Sequence, residues 1–341
     1  MKTIDRFPSI RTTGIGSLPH HNVDAALEYT FRWGIPFLPQ IPIRNPGEYM
    51  IAQALEGLEG LKVGNQGSVL LDIELWKSRT HLLDKKLNTV FRATQVPDAF
   101  ADFEPSSTSS SCWQPFLWEL QERNIPIAKV QIAGPMTTQW ALRIQGELTV
   151  AHSPDLSKQI FQLVLARSLG MVQRMQTVGV HPLLYLDEPG LYALSPHDPQ
   201  HVLRIQELKL MIQTLQKAGA TVGLHCCSRA NWAMICSLNL DILSLDVTCL
   251  QDSLTTDPRP IFGFIQNGGL LSIGVIPTAH STSLADWEPR AWAEQFKKDL
   301  HPTFRLQPDL LSLLLQKSIY TPACGLALQS TSNVETILEK V

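Results

Sequence analysis

The sequence predicts an α/β protein built as a single (β/α)8 TIM barrel with an insertion after the second strand, and three observations carry that prediction. Apolar strand-like runs alternate with amphipathic helical runs through most of the chain, the pattern of parallel strands covered by helices. Eight such strands can be counted if Thr12 and Ile35 begin the first two. Polar or special residues end nearly every one, at Ser17, Gln40, Gly134, Asp187, His225, Asp246, Pro277 and Cys324. In a barrel those ends converge on one mouth, where active sites of this architecture are built, whereas an open doubly wound sheet would gather them at a switch point. A length of 341 residues suits one domain spanning 1–341.

Taken in order, Thr12-Thr-Gly-Ile-Gly-Ser-Leu-Pro-His20 reads as a short strand breaking into a Gly-rich turn, with Asn22-Val-Asp opening a helix that runs to Trp33. The turn would let backbone amides approach an anion or carboxylate; an ordinary tight turn would look the same. Ile35-Pro-Phe-Leu-Pro-Gln-Ile-Pro is too rich in proline for helix and suits a strand end. The stretch at about 46–110 leaves the repeat: a helix from Glu48 through Leu58, a hairpin across Val63-Gly-Asn-Gln-Gly-Ser-Val, and a Ser-rich loop at Ser106 to Ser111 suggest an insertion over one face. Beyond Gln114 the rhythm is regular. Strands are expected at Ile127–Ile132, Leu183–Asp187, Thr221–Cys227, Leu240–Asp246, Leu270–Pro277 and Ser318–Cys324, with helices between them and a last helix at Val334–Val341.

Composition narrows the function classes. A formal charge of −3 and the lack of a dense Lys/Arg run argue against nucleic acid and against an anionic membrane surface. No uninterrupted apolar stretch is long enough to span a bilayer, and Met1-Lys-Thr-Ile-Asp-Arg-Phe-Pro8 is neither a signal peptide nor a basic presequence, so the cytoplasm is the expected compartment. There, six cysteines are expected to stay reduced. Cys112, Cys236 and Cys249 read as packing residues.

The chemistry concentrates in Gly223-Leu-His-Cys-Cys-Ser-Arg. Strand alternation puts His225 and Cys227 on one face and Cys226 on the other. A thiol and an imidazole so placed are two ligands of a zinc site, and Cys324, at the end of another apolar run, would bring the third. A histidine packed beside buried thiols is the plainer alternative. Asp246 would add a weak oxygen ligand or orient the imidazole. Asp187 and Glu188 face opposite ways, so one carboxylate should reach the mouth, to hold an ammonium group or to cap the following loop. His280 stands where it could donate a proton, as could any exposed loop histidine.

These pieces together resemble the catalytic C-terminal half of cobalamin-independent methionine synthase, in the superfamily that includes uroporphyrinogen decarboxylase. The matching segments are Ile15-Gly16-Ser17-Leu-Pro, Gly134-Pro135-Met-Thr137, Asp187-Glu188-Pro189, His225-Cys-Cys227, Asp246, His280-Ser281 and Cys324-Gly325. The resemblance implies that His225, Cys227 and Cys324 are zinc ligands, with Asp246 where the family has a glutamate ligand. It further implies that Asp187 and the backbone of Ile15, Gly16 and Ser17 hold the ammonium and carboxylate of an amino acid, and that Glu48 matches a second ammonium-binding carboxylate. His280 would be the proton donor, and Trp140 resembles a tryptophan against which a folate ring packs. The implied reaction moves a methyl group to a thiol, homocysteine, from methyltetrahydrofolate or a corrinoid protein. A metal-free decarboxylase and a non-catalytic thiol- or zinc-binding barrel are the other readings. Arg44 and Arg229 are the basic residues the decarboxylase would need.

Overall fold

The computed structural model describes residues 11–93, 96, 98–144, 150, 153–195, 197–278, 287–305 and 308–340. Asn22 opens α1 (Val23–Phe31) by accepting the amides of Asp24 and Ala25 at 2.7 and 3.2 Å. A 3₁₀ turn at Pro46–Glu48 and the short α2 (Met50–Ala54) precede β1 (Leu61–Val63) and β2 (Val69–Leu71), which pair as the expected antiparallel hairpin. Then come α3 (Ile73–Arg92), α4 (Trp113–Glu122), β3 (Ile127–Ala133), α5 (Pro135–Ala141) and β4 (Arg143–Ile144), the last pairing in parallel with β2. From there α6 (Pro154–Thr177) leads to β5 (His181–Asp187), α7 (Pro199–Lys217) to β6 (Thr221–Cys226), and α8 (Trp232–Cys236) to β7 (Ile242–Asp246). Helices α9 (Val247–Thr256) and α10 (Arg259–Gln266) lead to β8 (Leu270–Ile276). Helices α11 (Pro289–Phe304) and α12 (Pro308–Lys317) lead to β9 (Ile319–Pro322), and α13 (Thr331–Lys340) follows.

The main sheet has the order β3-β5-β6-β7-β8-β9, every neighbouring pair parallel, and it curls in the manner of a TIM-like fold. Two extended segments lie along its edges through single bridges. Thr12 bridges Tyr320 of β9, Phe37 bridges Lys129 of β3, and Ser17 bridges Gln40 between the two segments.

Alternation along the strands sorts the inner face into levels. Ile127, Leu183, Ile242, Leu270 and Ile319 join Ile35 and Tyr185 in a buried apolar cluster of their own. Two residues further along each strand the same face carries Lys129, Tyr185, Ser244, Ser272 and Thr321, all buried. The next step brings Gln131, Asp187 and, on β6, His225. The opposite face (Val130, Leu184, Leu186, Val222, Leu224, Cys226, Leu243, Ile273) packs into the large core beneath the helices. An apolar plug below and a polar layer above is therefore written in the period of two.

The segment at 46–110 departs from the expected helix over Glu48–Leu58. Tyr49 is extended (φ −62°, ψ 139°), so the chain cannot run helically through it, and α2 stops at Ala54. The Ser-rich loop folds onto two carboxylates. Glu48 accepts the Ile41 amide (2.8 Å) and the Ser111 amide and hydroxyl (3.0 and 2.6 Å). Glu56 accepts from Ser106 and Ser109 and pairs with Arg167 of α6 at 2.8 Å. The unexpected α3 buries only Trp76, Leu83, Leu87 and Val90, a stripe too sparse to stand out in the sequence. Among the described residues no helix is long and apolar enough to cross a membrane.

Candidate functional site

Strand β6 delivers the imidazole. His225 lies in register between Asp187 on β5 and Ser244 on β7, and its Nδ1 is 3.0 Å from the Ser244 hydroxyl, which fixes the ring and leaves Nε2 for another partner. Cys226, on the outer face, is buried in the helix-covered core with its thiol against Ser228. Cys227 and Cys324 approach each other at the strand ends, with His225 beside them. The interaction with Cys227, and then that with His225, holds the Cys324 thiol well below the usual range, while the interaction with Cys324, with burial, drives the Cys227 thiol up. Of two thiols this close, one ionises readily and the second then resists.

Of the paired carboxylates, Asp187 is the one that faces the centre. It is buried, its Oδ1 has no partner among the described residues, and burial pushes its carboxyl up to about 6 against the pull of His225 and Lys129. Glu188 turns the other way. Its two oxygens accept the amides of Met136 (3.0 Å) and Thr137 (2.7 Å), so a residue ending β5 caps the start of α5. Gly134 makes room for this, since a Cβ there would collide with the Glu188 carboxylate.

Lys129 was not singled out by the sequence reading. It is fully buried on the inner face, with Nζ donating to the Ile15 carbonyl (2.6 Å) and to Gln131 Oε1 (3.2 Å), and it lies 4.7 Å from the centre of the Tyr185 ring. Burial lowers its ammonium to about 8, partly offset by Asp187. The available signal was a lysine and a glutamine at alternate places within an otherwise apolar strand. The Tyr185 and Ser272 hydroxyls and Thr321 Oγ1 are buried without a hydrogen-bond partner among the described residues.

The other sequence candidates fall as follows. Ile15, Gly16 and Ser17 form a turn over Gln131, and the Ser17 hydroxyl packs against Gly325, next to Cys324. Glu48 is buried with both oxygens taken by Ile41 and Ser111. Asp246 caps α9, its Oδ1 accepting the Thr248 amide at 2.7 Å and the Thr248 hydroxyl. Trp140 on α5 is half-buried, 5.0 Å from the His201 ring. His280 lies outside the described residues. Arg44 reaches the His21 carbonyl and Arg229 pairs with Asp252 on the surface, so the two make no basic cluster with each other.

Among the described residues no group of three or more His, Cys, Asp or Glu side chains is placed to hold a metal ion. By residue type His225, Cys227 and Cys324 are donors that zinc accepts, and the imidazole is braced through its other nitrogen.

No protein-family model matches this sequence, and no curated protein matches it. Solved structures do. A B12-independent methionine synthase from Shewanella sp. W3-18-1, in complex with selenomethionine, is similar at 16% identity with a TM-score of 0.43, over 66% of this chain and 64% of that one. The chain thus spans less than two thirds of that synthase's length. A methyltransferase from Methanosarcina mazei is similar at 14% identity with a TM-score of 0.53, over 98% of this chain and 92% of that one. The second likeness shows a shared fold across nearly the whole chain.

Proposed function

We propose that this protein is a zinc-dependent methyltransferase of the cobalamin-independent methionine synthase type, moving a methyl group to the thiol of homocysteine to give methionine. The donor is methyltetrahydrofolate or a methyl-corrinoid protein. In this reading the chain is one (β/α)8 barrel domain over 1–341 with the segments at 12–17 and 35–40 as its first two strands, and it works in the cytoplasm. The observation that carries the proposal is the meeting of Cys227 and Cys324, from distant strand ends, with each other and with His225. A fold shared with a methyltransferase agrees with it.

Zinc held by His225, Cys227 and Cys324, with Asp246 as a further oxygen donor, would keep the substrate sulfur as thiolate at neutral pH, where a free thiol of pKa ~8.5 is mostly protonated. Ser244 fixes the imidazole. Asp187 offers its unpartnered oxygen to the substrate ammonium, a task we assign to it rather than to Glu48, whose oxygens are already occupied. The Ile15–Ser17 backbone receives the carboxylate, and Trp140 gives a flat face to a donor ring. With the folate donor a sulfur–carbon bond forms while the methyl–nitrogen bond breaks, its electron pair passing to nitrogen; with a methyl-corrinoid the bond broken is cobalt–carbon, the pair stays on cobalt and no protonation is needed. His280 supplies the proton that the leaving nitrogen takes up.

The test is metal content followed by turnover. Purified protein is expected to hold about one zinc per chain, as three-ligand catalytic sites do, and Cys227→Ser and Cys324→Ser to lose it. Zinc-loaded protein should form methionine from homocysteine with methyltetrahydrofolate or methylcobalamin. No zinc, or zinc indifferent to both substitutions, would sink the proposal.

A further inference from the structure

The buried ammonium of Lys129 has a definite task to account for. A lysine held away from water is unfavourable, and an apolar side chain of similar length would fill the same space without that penalty. What Lys129 has instead is a set of directed contacts: the Ile15 carbonyl at 2.6 Å, Gln131 Oε1 at 3.2 Å and the face of Tyr185. Gln131 extends the arrangement, donating to the Leu38 carbonyl at 2.8 Å and filling the space under Gly16. Lys129 and Gln131 thereby fasten both edge segments to β3.

The Ile15–Gly16 peptide is trans and planar, so its carbonyl and its N–H point in opposite directions. With the Ile15 carbonyl drawn inward to Lys129, the Gly16 N–H must point away from the interior. Gly16 is held at φ 149°, a conformation that suits glycine alone, and Gln131 leaves no space for a side chain there. Neither the Gly16 nor the Ser17 amide donates a hydrogen bond among the described residues, although the next amide, Leu18, bonds the Gln40 carbonyl at 2.8 Å. The Gly16 N–H is thus an unused donor in the turn whose Ser17 packs against Gly325, next to Cys324, and is available to an anion.

We propose that Lys129 is a positioning residue for substrate carboxylate recognition: by holding the Ile15 carbonyl inward it turns the Gly16 amide toward the mouth. The inference rests on the thiol-methyltransferase reading above. It assigns to Lys129 no contact with substrate and no part in proton transfer.

The test compares two probes on zinc-loaded protein: homocysteine, and homocysteamine, which keeps the thiol and amine but lacks the carboxylate. Lys129→Met should weaken homocysteine binding about tenfold to a hundredfold more than it weakens homocysteamine binding, the worth of a misdirected charge-assisted bond; any effect transmitted through Asp187 to the ammonium is common to both probes. Equal losses for both probes, or no loss for either, would overturn the proposal. If Lys129→Met does not fold, Lys129→Gln is measured by the same ratio. Should the wild-type protein bind neither probe, the thiol reading itself fails. Hydrogen exchange at Gly16 then decides the role of Lys129 separately: altered exchange in the variant upholds it, and unchanged exchange removes it.

Discussion

The carboxylate of Glu188 accepts the backbone amide of Thr137 at 2.7 Å, across a separation of 51 residues. Together with the Met136 amide it gives α5 a cap from outside its own sequence. Glu188→Ala leaves two buried amides unpaired and a cavity behind them. The expected loss of stability is about 2–5 kcal/mol, read by urea denaturation.

The same residue sets a pH dependence. Burial, the largest influence, pushes the Glu188 carboxyl up to about 7 from 4.5, against the amide and hydroxyl bonds that pull it down. Between those values the folded protein keeps a proton that the unfolded chain has lost, so this contribution is full below the lower value and fades as pH rises through about 7. Asp187, raised to about 6, acts with the same sign. Melting temperature should fall from pH 5 to 8 in the wild type, and the fall should be shallower in Glu188→Ala; parallel curves would refute the assignment.

Gly134→Ala addresses the same contact from the opposite side. The added methyl meets the Glu188 carboxylate, which must leave its amides. A cost of about 1–3 kcal/mol is expected, smaller when combined with Glu188→Ala than when made alone.

Ser244→Ala frees the His225 ring. Stability should change by about 1 kcal/mol, while zinc affinity, measured by competition with a chelator, falls about tenfold to a hundredfold. A variant that keeps full affinity would show that the ring is positioned by something other than Ser244.

Away from the mouth, Arg167 is buried and pairs with Glu56, which also gathers Ser106 and Ser109. Arg167→Leu strands that carboxylate and should cost about 3–5 kcal/mol in denaturant titration. Zinc content is expected to stay unchanged, separating support of the 46–110 segment from the chemistry.

Much of this was legible from period and spacing alone. The six strands of the curled sheet all overlap the runs expected, because each is a short apolar stretch bounded by turns, although β3 continues to Ala133 and β5 begins two residues early at His181. The opposite facing of His225 and Cys226, and of Asp187 and Glu188, follows from the pleat. Period did not reveal which carboxylate would be consumed by an amide pair, since that depends on where α5 begins relative to β5. Nor did it show that Glu48 would turn inward to Ile41 and Ser111, which shortened the expected helix to α2. Lys129 stayed hidden for a related reason: a lysine suggests a solvent edge, and only the packing of the two edge segments over β3 encloses it.

The apolar cluster of Ile35, Ile127, Leu183, Ile242, Leu270 and Ile319 stoppers the fold beneath the polar layer. In the proposed transfer both reactants would then use the polar side of that stopper, and traffic would form a queue: the partner that binds deepest enters first, and its product waits until the spent donor has moved out of the way.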